Sequence, residues 1–365
     1  MVGSSTVVNG PPAEPLIFKR PLAGATRLRL LRLLSPSGYP KLTQRIRMQT
    51  QPAFVHILRW EAEDTLSVEL RPAGGGEFPP FTPGAHVDLH LPNGLRRSYS
   101  LCNSADERDR YVVGVLTDRS SRGGSRWLHE ELRVGVQLEI SAPRNNFPLY
   151  EAADHSVLVA GGIGITPLLC MARRLHDLRR SFELLYFARS RRSAVFLDVL
   201  NHLQVPMTLH FDDEIGGPPD LRRMLAEKAP VAGLHLYACG PTPMLEVFEK
   251  HCGALGLQNT HIERFAPIEQ EPADSARGSF TVHLARSKRT VTVTPEMSIL
   301  DTLLEAGIDV DYSCCEGVCG ACEAKVLEGE PDHLDSILTA KERAKNTSMM
   351  LCVSGCKSNF LKLDL

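Results

Sequence analysis

Short apolar stretches in the first half of the chain alternate with polar positions, which is typical of β-strands. From about Phe54 these stretches recur with Gly and Pro between them. Alternation with a period of two places one set of side chains on a buried face, and closely spaced turns favour antiparallel pairing. The pattern predicts a small antiparallel β-barrel that extends to about Tyr150. The predicted strands are Phe54 to Leu58, Ser67 to Leu70, His86 to Leu91, Tyr111 to Leu116 and Gln137 to Ser141.

From Ser156 the pattern changes to strands that alternate with helices. The stretch Val157 to Ala160 is uniformly apolar, as in a strand buried on both faces, and a helical pattern from Thr166 to Leu178 follows it. Further strands are predicted at Phe182 to Ala188 and at Leu234 to Cys239, with a helix from about Thr242. This alternation predicts an α/β domain with a parallel sheet.

The last part of the chain begins after a stretch of linker composition, Ala266 to Gly278. A hairpin is predicted from Phe280 to Leu284 and Thr290 to Val293. A short helix follows, with Ser298 as its N-cap and Gly307 near its end. The sequence therefore predicts a multidomain protein, divided into a barrel at 51–150, an α/β domain at 151–266, a linker at 267–278 and a final domain at 279–365.

Bulk composition excludes several classes of protein. Of the 365 residues, 43% are hydrophobic and 23% are charged, and the net charge of −2 indicates no nucleic-acid partner. No apolar run approaches the roughly 20 residues that span a bilayer. The ten cysteines and the absence of a secretory leader indicate a reducing cytoplasm.

Residues 1–50 form a basic extension with eight Lys or Arg residues and one acidic residue, Glu14. Terminal segments rich in Pro, Ser and Gly are usually disordered, and this extension is expected to be disordered and dispensable. The stretch Arg27 to Leu34 has an alternative interpretation as a short basic amphipathic helix that contacts a membrane surface or a partner.

Four cysteines near the C-terminus carry the most specific chemical signal. Cys314, Cys319 and Cys322 have the spacing C-x4-C-x2-C, and Cys352 follows. This is the spacing with which plant-type ferredoxins hold a 2Fe-2S cluster. The pair Cys319 and Cys322 alone is also compatible with half of a zinc site, although no matching second pair is evident. Cys315 adjoins Cys314 and leaves some ambiguity in the ligand assignment.

Glycines at two predicted strand ends indicate a nucleotide site. Gly161, Gly162 and Gly164 follow the Val157 strand, Thr166 is placed to cap the next helix, and Pro167 suits its first turn. Such a helix N-terminus binds a pyrophosphate, although the same glycines fit a tight strand-to-helix turn.

A second strand end contains Cys239 and Gly240. Because ligands of open α/β sheets bind outside the carboxyl ends of the strands, both ends are expected to face one crevice, where Cys239 meets the nicotinamide.

A strand of the barrel carries side chains that suit a phosphorylated ring. Arg97 and Tyr99 lie on one face and Ser98 and Ser100 on the other. Arginine suits a phosphate, tyrosine a flat ring and serine a ring heteroatom. The turn made by Gly123, Gly124 and Ser125 precedes a helical segment and is a second candidate phosphate cradle. Without further context these features are also compatible with structural glycines and a basic strand face.

The motifs appear along the chain in the order seen in the phthalate dioxygenase reductase family, which the chain resembles from about residue 52 to its C-terminus. The resemblance implies an FMN-binding barrel of the ferredoxin-reductase type, a nicotinamide-nucleotide domain and an α+β, β-grasp ferredoxin domain with a 2Fe-2S cluster. The motifs are Pro83 to His86, Pro92 to Asn103, Gly123 to Ser125, Gly161 to Pro167, Cys239 to Pro241 and the cysteine loop.

The resemblance also implies roles for individual residues. Arg97, Tyr99, Ser100 and Ser125 resemble the FMN contacts of the family, and Gly162, Thr166 and Cys239 resemble its nicotinamide-side residues. Phe265 resembles the aromatic residue that covers the flavin ring until nicotinamide displaces it.

The residues after the strand-end arginine bear on the choice of coenzyme, because relatives selective for NADH often have an acidic residue there. Here Arg189 is followed by Ser190, Arg191 and Arg192. Arginines can accept the 2′-phosphate of NADPH, but they are also common on solvated surfaces. NADH is the expected coenzyme, with NADPH as the alternative.

The expected function is that of a reductase that takes hydride from NADH onto FMN and passes single electrons through the cluster to a Rieske-type oxygenase. Such systems hydroxylate or O-demethylate aromatic compounds. The protein is expected to act as a monomer. A haem monooxygenase is an alternative acceptor, and a redox sensor without turnover is an alternative function.

Overall fold

A computed structural model describes residues 50–118, 123–229, 231–267 and 278–365. The interpretations of the basic extension and of most of the linker lie outside these residues. Within them, the chain forms three sheets in the order that the sequence predicts: antiparallel, parallel and mixed.

The first sheet is a six-stranded antiparallel barrel. Its strand order is β4-β3-β6-β1-β2-β5, and the bridge between Leu101 and Val113 connects the end of β4 to β5. Alternate residues such as Val55, Val68 and Val87 fill its interior. The sheet therefore closes around its own apolar core. Its elements are β1 (Thr50–Ala62), β2 (Thr65–Pro72), β3 (His86–His90), β4 (Arg96–Ser100), β5 (Tyr111–Leu116), α1 (Gly124–Glu130) and β6 (Gln137–Ser141).

The second sheet is parallel throughout, with the order β11-β10-β7-β8-β9. Apolar clusters cover both of its faces, which is why β7 reads as an uninterrupted apolar run. Strands β8 and β10 have the predicted bounds. The elements are β7 (His155–Gly161), α2 (Ile165–Asp177), β8 (Phe182–Ala188), α3 (Leu197–His202), β9 (Met207–Phe211), α4 (Asp212–Ile215), α5 (Leu221–Lys228), β10 (Leu234–Cys239), α6 (Thr242–Ala254) and β11 (Thr260–Glu263).

The third sheet has the order β13-β12-β16-β14-β15, in which β12 and β16 run parallel and the other pairs run antiparallel. The Ser298 hydroxyl accepts a hydrogen bond from the Asp301 amide and caps α7, as predicted. Helix α7 packs onto the sheet, which is the expected β-grasp arrangement. The elements are β12 (Phe280–Leu284), β13 (Arg289–Val293), α7 (Ile299–Glu305), β14 (Glu323–Asp332), α8 (Ala340–Lys345), β15 (Ser348–Met350) and β16 (Gly355–Leu363).

The fold class predicted from the sequence is confirmed. The domain boundaries stay a prediction, because most of the linker lies outside the described residues. None of the described helices has both the length and the apolar composition that crossing a membrane requires.

Candidate functional site

One cavity of about 540 Å³ is walled by segments from all three sheets. Arg97 to Ser100 come from β4 of the barrel, Ile163 and Thr166 from the turn after β7, and Glu263 to Pro267 from the end of β11. Glu316, Val318 and Cys319 belong to the cysteine loop. Of the predicted site residues, the flavin candidates, one coenzyme candidate, the aromatic residue and one ligand candidate therefore line one cavity: Arg97, Ser98, Tyr99, Ser100, Ser125, Thr166, Phe265 and Cys319. Cys239 and the glycines of the strand ends are not among the residues of its wall.

Arg97 lies against the first turn of α1. A Cβ atom at Gly124 would lie 2.6 Å from Arg97 Nε, so only glycine lets the guanidinium stem pack there. Gly123 precedes the helix with a φ of 99°, which also favours glycine. The buried Ser125 hydroxyl accepts a hydrogen bond from the Asp118 amide at 3.2 Å. A cation and a glycine turn thus face the cavity together, as a phosphate requires.

The hydroxyls of Ser98 and Ser100 both donate to carboxylates. Ser98 Oγ donates to Asp88 Oδ1 at 2.6 Å, and Ser100 Oγ donates to Glu263 Oε2 at 3.2 Å. Tyr99 packs against the barrel core, and burial raises the pKa of its hydroxyl above the ordinary value. Ser98 is therefore tied to the barrel, whereas Ser100 connects the barrel to the end of the parallel sheet.

The two glycine-containing strand ends of the parallel sheet lie side by side, as expected. Strands β7 and β10 are neighbours, with Cys239 opposite Ala160. A Cβ atom at Gly164 would lie 2.2 Å from the Cys239 carbonyl oxygen, and one at Gly240 would lie 2.9 Å from the Gly161 Cα. The backbones of the two turns thus pack closely enough to exclude any side chain.

The prediction that Thr166 caps the following helix is wrong. Helix α2 begins at Ile165 with Gly164 as its N-cap, and the Thr166 hydroxyl donates to the Ile163 carbonyl at 3.0 Å. The reason is a 3-10 turn at Gly162–Gly164, which starts the helical conformation before Thr166. Gly162 has a φ of 53°, which glycine adopts without strain. Thr166 nevertheless lines the cavity.

Cys239 is completely buried, and burial raises the pKa of its thiol well above the ordinary value. The neighbouring Glu263 is paired with Cys239 across β10 and β11. Burial raises the pKa of Glu263 to about 8. At neutral pH the neighbouring ends of β10 and β11 therefore hold a neutral thiol and a largely protonated carboxyl group. Of the two residues, Glu263 lines the cavity, where an uncharged carboxyl group suits an uncharged ring.

The raised pKa of Glu263 predicts a pH-dependent stability. Between about pH 4.5 and 8 the folded protein keeps a proton that the unfolded chain releases, so the free energy of unfolding falls as the pH rises. Glu263→Gln should remove this slope, on the order of 1 kcal/mol per pH unit. Denaturation midpoints of both proteins measured across this window test it, and parallel pH profiles would contradict it.

Phe265 lies on the cavity wall and is 41% exposed, so an aromatic ring is placed where one was expected. Arg189 is exposed just after β8, and its carbonyl accepts a hydrogen bond from the Asp213 amide at 3.1 Å. It does not line the cavity. Its predicted contact with the coenzyme remains a prediction.

The four predicted ligand cysteines lie in one region of the third domain. The Cys314 amide donates to Cys319 Sγ at 3.4 Å, and the Glu316 amide donates to Cys314 Sγ at 3.3 Å. Hydrogen bonds from the Cys319 and Cys352 thiols and from backbone amides lower the pKa of the Cys314 thiol. Cys322 and Cys352 also contact each other.

This donor set fits a 2Fe-2S cluster, whose two irons share four thiolates. Backbone amides already point at the sulfurs, and the buried Ser313 hydroxyl beside Cys314 has no hydrogen-bond partner. No three His, Cys, Asp or Glu side chains of the described residues are arranged around one metal ion. Cys315 is exposed, and its backbone has a positive φ of 57°, which none of the four candidate ligands has.

Several cavity residues had no role in the sequence predictions. Glu263 is one, and His86 is another. Burial and then the charge of Arg144 lower the pKa of His86 to about 4, which keeps its ring neutral. Arg144 also forms a 2.7 Å ion pair with the fully buried Asp88. Only the position of His86 after Pro83-Gly84, inside a quoted motif, could have drawn attention to it.

Comparisons with known proteins agree with this architecture. The protein-family model "2Fe-2S iron-sulfur cluster binding domain" matches residues 282–357. Phenoxybenzoate dioxygenase subunit beta from Ectopseudomonas oleovorans is 47% identical over 311 residues, which cover 85% of this chain and 96% of that protein. Tetrachlorobenzoquinone reductase from Sphingobium chlorophenolicum is 47% identical over 83% of this chain and 94% of its own. Vanillate O-demethylase oxidoreductase from Pseudomonas putida is 42% identical over 84% of this chain and 96% of its own.

Two solved structures are similar over most of the chain. Phthalate dioxygenase reductase, described as a modular structure for electron transfer from pyridine nucleotides to [2Fe-2S], has a TM-score of 0.65 and 36% identity, and covers 87% of this chain and 98% of its own. An intact type IV self-sufficient cytochrome P450 monooxygenase has a TM-score of 0.79 and 38% identity, but the match covers only 41% of that longer chain.

Proposed function

Because this chain belongs to the phthalate dioxygenase reductase family of oxygenase-system reductases, we propose that it carries electrons from NADH, through FMN and a 2Fe-2S cluster, to a Rieske-type oxygenase component. The observation that carries the proposal is the shared cavity. The β4 residues, the strand ends of the parallel sheet and the cysteine loop all contribute to its wall. A path for electrons between two cofactors requires such a meeting point.

When bound, FMN supplies two-electron acceptance and one-electron release, and the cluster supplies one-electron transfer. The residues of the chain hold and shield these groups. Arg97 and the turn at Gly123 and Gly124 would bind the flavin phosphate, and Tyr99 and Phe265 would flank its ring. Gly161, Gly162 and Gly164 would let the coenzyme approach the backbone of the strand ends.

The corner formed by Ser100, Cys239 and Glu263 would exclude water and charge from the reacting rings. The Ser100 hydroxyl fixes the Glu263 carboxyl group through their 3.2 Å hydrogen bond. The raised pKa of Glu263 keeps a proton on this group at neutral pH. The neutral thiol of Cys239 adds bulk without charge. Cys314, Cys319 and Cys322 of the cysteine loop, together with Cys352, would be the ligands of the cluster.

Three measurements on the purified, fully loaded protein test the proposal. Acid denaturation should release FMN and not FAD, because the turn beside Arg97 suits a single terminal phosphate. NADH should reduce the flavin and then the cluster in a stopped-flow experiment. Addition of the oxygenase component should then couple NADH oxidation to product formation, and sedimentation should show a monomer. Release of FAD alone, or a cluster that NADH leaves oxidised, would contradict the proposal.

A second candidate is direct reduction of a quinone by the flavin, and the relative named tetrachlorobenzoquinone reductase favours it. The likeness to the self-sufficient cytochrome P450 similarly favours a haem acceptor as an alternative protein partner. Quinone reduction directly from the flavin would survive removal of the cluster, whereas transfer to either protein partner would not. Activity with each acceptor, measured before and after cluster removal, separates the candidates.

We propose that the preference for NADH depends on the contacts of Arg191, the second arginine after β8. Arg191 makes two hydrogen bonds to Glu214, with Nε to Oε1 at 3.1 Å and Nη2 to Oε2 at 3.2 Å. Its guanidinium also lies 4.5 Å above the Phe211 ring. An arginine held in this way is partly neutralised and is less available to a 2′-phosphate.

Glu214→Gln is therefore expected to raise kcat/KM for NADPH by about two- to fivefold, the range that an exposed ion pair provides, and to leave kcat/KM for NADH unchanged. Steady-state kinetics with both coenzymes measure it. Glu227→Gln, which alters an exposed pair with Arg223, is the matched control. If Glu214→Gln raised kcat/KM for NADPH by the same factor in an Arg191→Ala background, Arg191 would not be involved.

A further inference from the structure

The cysteine loop is held against the barrel by two contacts that bracket the first two candidate ligands. Asn146 Nδ2 donates to the Cys319 carbonyl at 3.0 Å. Arg96 Nη1 donates to the Tyr312 carbonyl at 3.0 Å, and its guanidinium lies 4.7 Å from the centre of the Tyr312 ring. One contact lies two residues before Cys314, and the other is made by Cys319 itself.

The backbone at Gly320 independently supports the close approach of the cysteine loop to Asn146. Gly320 has a φ of 73°, and a Cβ atom at this position would lie 2.7 Å from Asn146 Nδ2. A side chain at this position would displace the Asn146 amide and disturb its hydrogen bond to the loop. Glycine at position 320 therefore does more than turn the chain between two ligands, because it also lets the loop reach Asn146.

On the barrel side, both anchoring residues belong to well-fixed backbone. Arg96 is the first residue of β4, next to the flavin-site candidate Arg97. Asn146 follows Arg144, whose backbone exchanges two hydrogen bonds with His86 of β3, at 2.8 and 3.0 Å. Next to it, a Cβ atom at Gly84 would lie 1.9 Å from the Phe147 carbonyl oxygen, so this segment packs tightly against the barrel. The barrel thus presents two fixed donors to the loop.

We infer that Asn146 and Arg96 are positioning residues that set the placement of the cysteine loop beside the flavin cavity, and thereby the rate at which electrons pass from flavin to cluster. This inference rests on the proposed function. Transfer between two bound groups falls steeply as their separation grows. Positioning contacts contribute to a rate by holding the reacting groups in the productive geometry. Loss of either donor should therefore slow this step selectively.

The test follows both cofactors of the loaded protein after rapid mixing with NADH. In Asn146→Ala and in Arg96→Ala, the rate of flavin reduction should stay within about twofold of the wild-type rate, whereas cluster reduction should slow by about tenfold, with a larger loss in the double variant. Asn201→Ala is the matched control, because Asn201 is an exposed asparagine of α3 that lies outside the cavity wall and the cysteine loop. It should leave both rates unchanged.

Hydrogen exchange supplies a readout that does not depend on turnover. Amides of residues 312–320 should exchange faster in the Asn146 and Arg96 variants and not in Asn201→Ala. Cluster reduction at the wild-type rate in the double variant would overturn the inference, as would a slowing of flavin reduction as large as that of cluster reduction. If NADH fails to reduce the cluster of the wild-type protein, the proposed function itself is wrong, so the two failures are distinguishable.

Discussion

Cys319→Ser is expected to remove the 2Fe-2S cluster and to abolish electron export while the flavin half of the protein keeps working. The change removes one of the four thiolates. Even changes to residues that only contact metal ligands cost about 10–100-fold in metal affinity or activity, so electron export should fall on the order of 100-fold or more. Reduction of cytochrome c and NADH oxidation coupled to the oxygenase should fall by this factor. Iron and sulfide analysis and the visible spectrum measure the cluster in the same samples.

Reduction of ferricyanide by NADH should survive in this variant, because that acceptor takes electrons directly from reduced flavin. The barrel and the parallel sheet have apolar cores separate from that of the third sheet, so loss of the cluster should leave them folded. Cys315→Ser is the control, since Cys315 is exposed and lies outside the ligand set. Intact export from a cluster-free Cys319→Ser protein would refute the path from flavin through cluster to partner.

Gly164→Ala is expected to disrupt the proposed nicotinamide crevice and to destabilise the protein strongly. The added Cβ atom would lie 2.2 Å from the carbonyl oxygen and 2.4 Å from the carbonyl carbon of Cys239, and 2.6 Å from the Gly240 nitrogen. These are backbone atoms that cannot rotate away, so the two strand ends must separate. The expected cost is about 3 kcal/mol, or roughly 6–12 °C in Tm.

The same separation would misplace the coenzyme, and flavin reduction by NADH should slow on the order of 100-fold. Calorimetry and stopped-flow kinetics measure the two effects. Gly253→Ala in helix α6 is the control, because a Cβ atom there meets open space. That change should stabilise the protein by about 0.5–1 kcal/mol through helix propensity. A Gly164→Ala protein that melts and reacts like wild type would show that the two strand ends are not packed as described.

The barrel and the parallel sheet could be predicted from the sequence because period and spacing are local properties, whereas the β-grasp fold of the third domain was implied by the family resemblance. Alternation at β1 to β3, the apolar run at β7 and the hairpin at β12 and β13 each carry their own signal. Strands β9, β11 and β14 to β16 were not predicted. Strand β9 is only partly buried, and β14 contains Gly329 and Pro331 at register shifts, so neither shows a clear alternation.

The cysteine spacing and the glycines of the strand ends were likewise readable, because each is a short motif whose chemistry depends on close neighbours in the chain. The cap assigned to Thr166 failed for a local reason as well, since the 3-10 turn before it starts the helix earlier. The arginines after β8 were ambiguous because the partner of Arg191 lies on helix α4, which no pattern predicted.

The sequence by itself thus determined the fold class, the order of its parts and the candidate cluster ligands, because local spacing encodes all three. Only the tertiary structure decided how these parts meet. Ser100 and Glu263 are 163 residues apart, and Asn146 and Cys319 are 173 apart. The raised pKa of Glu263 likewise comes from burial, which depends on segments distant in the chain. Packing of three sheets around one cavity creates these contacts, and a one-dimensional pattern cannot specify the neighbours that desolvate a group.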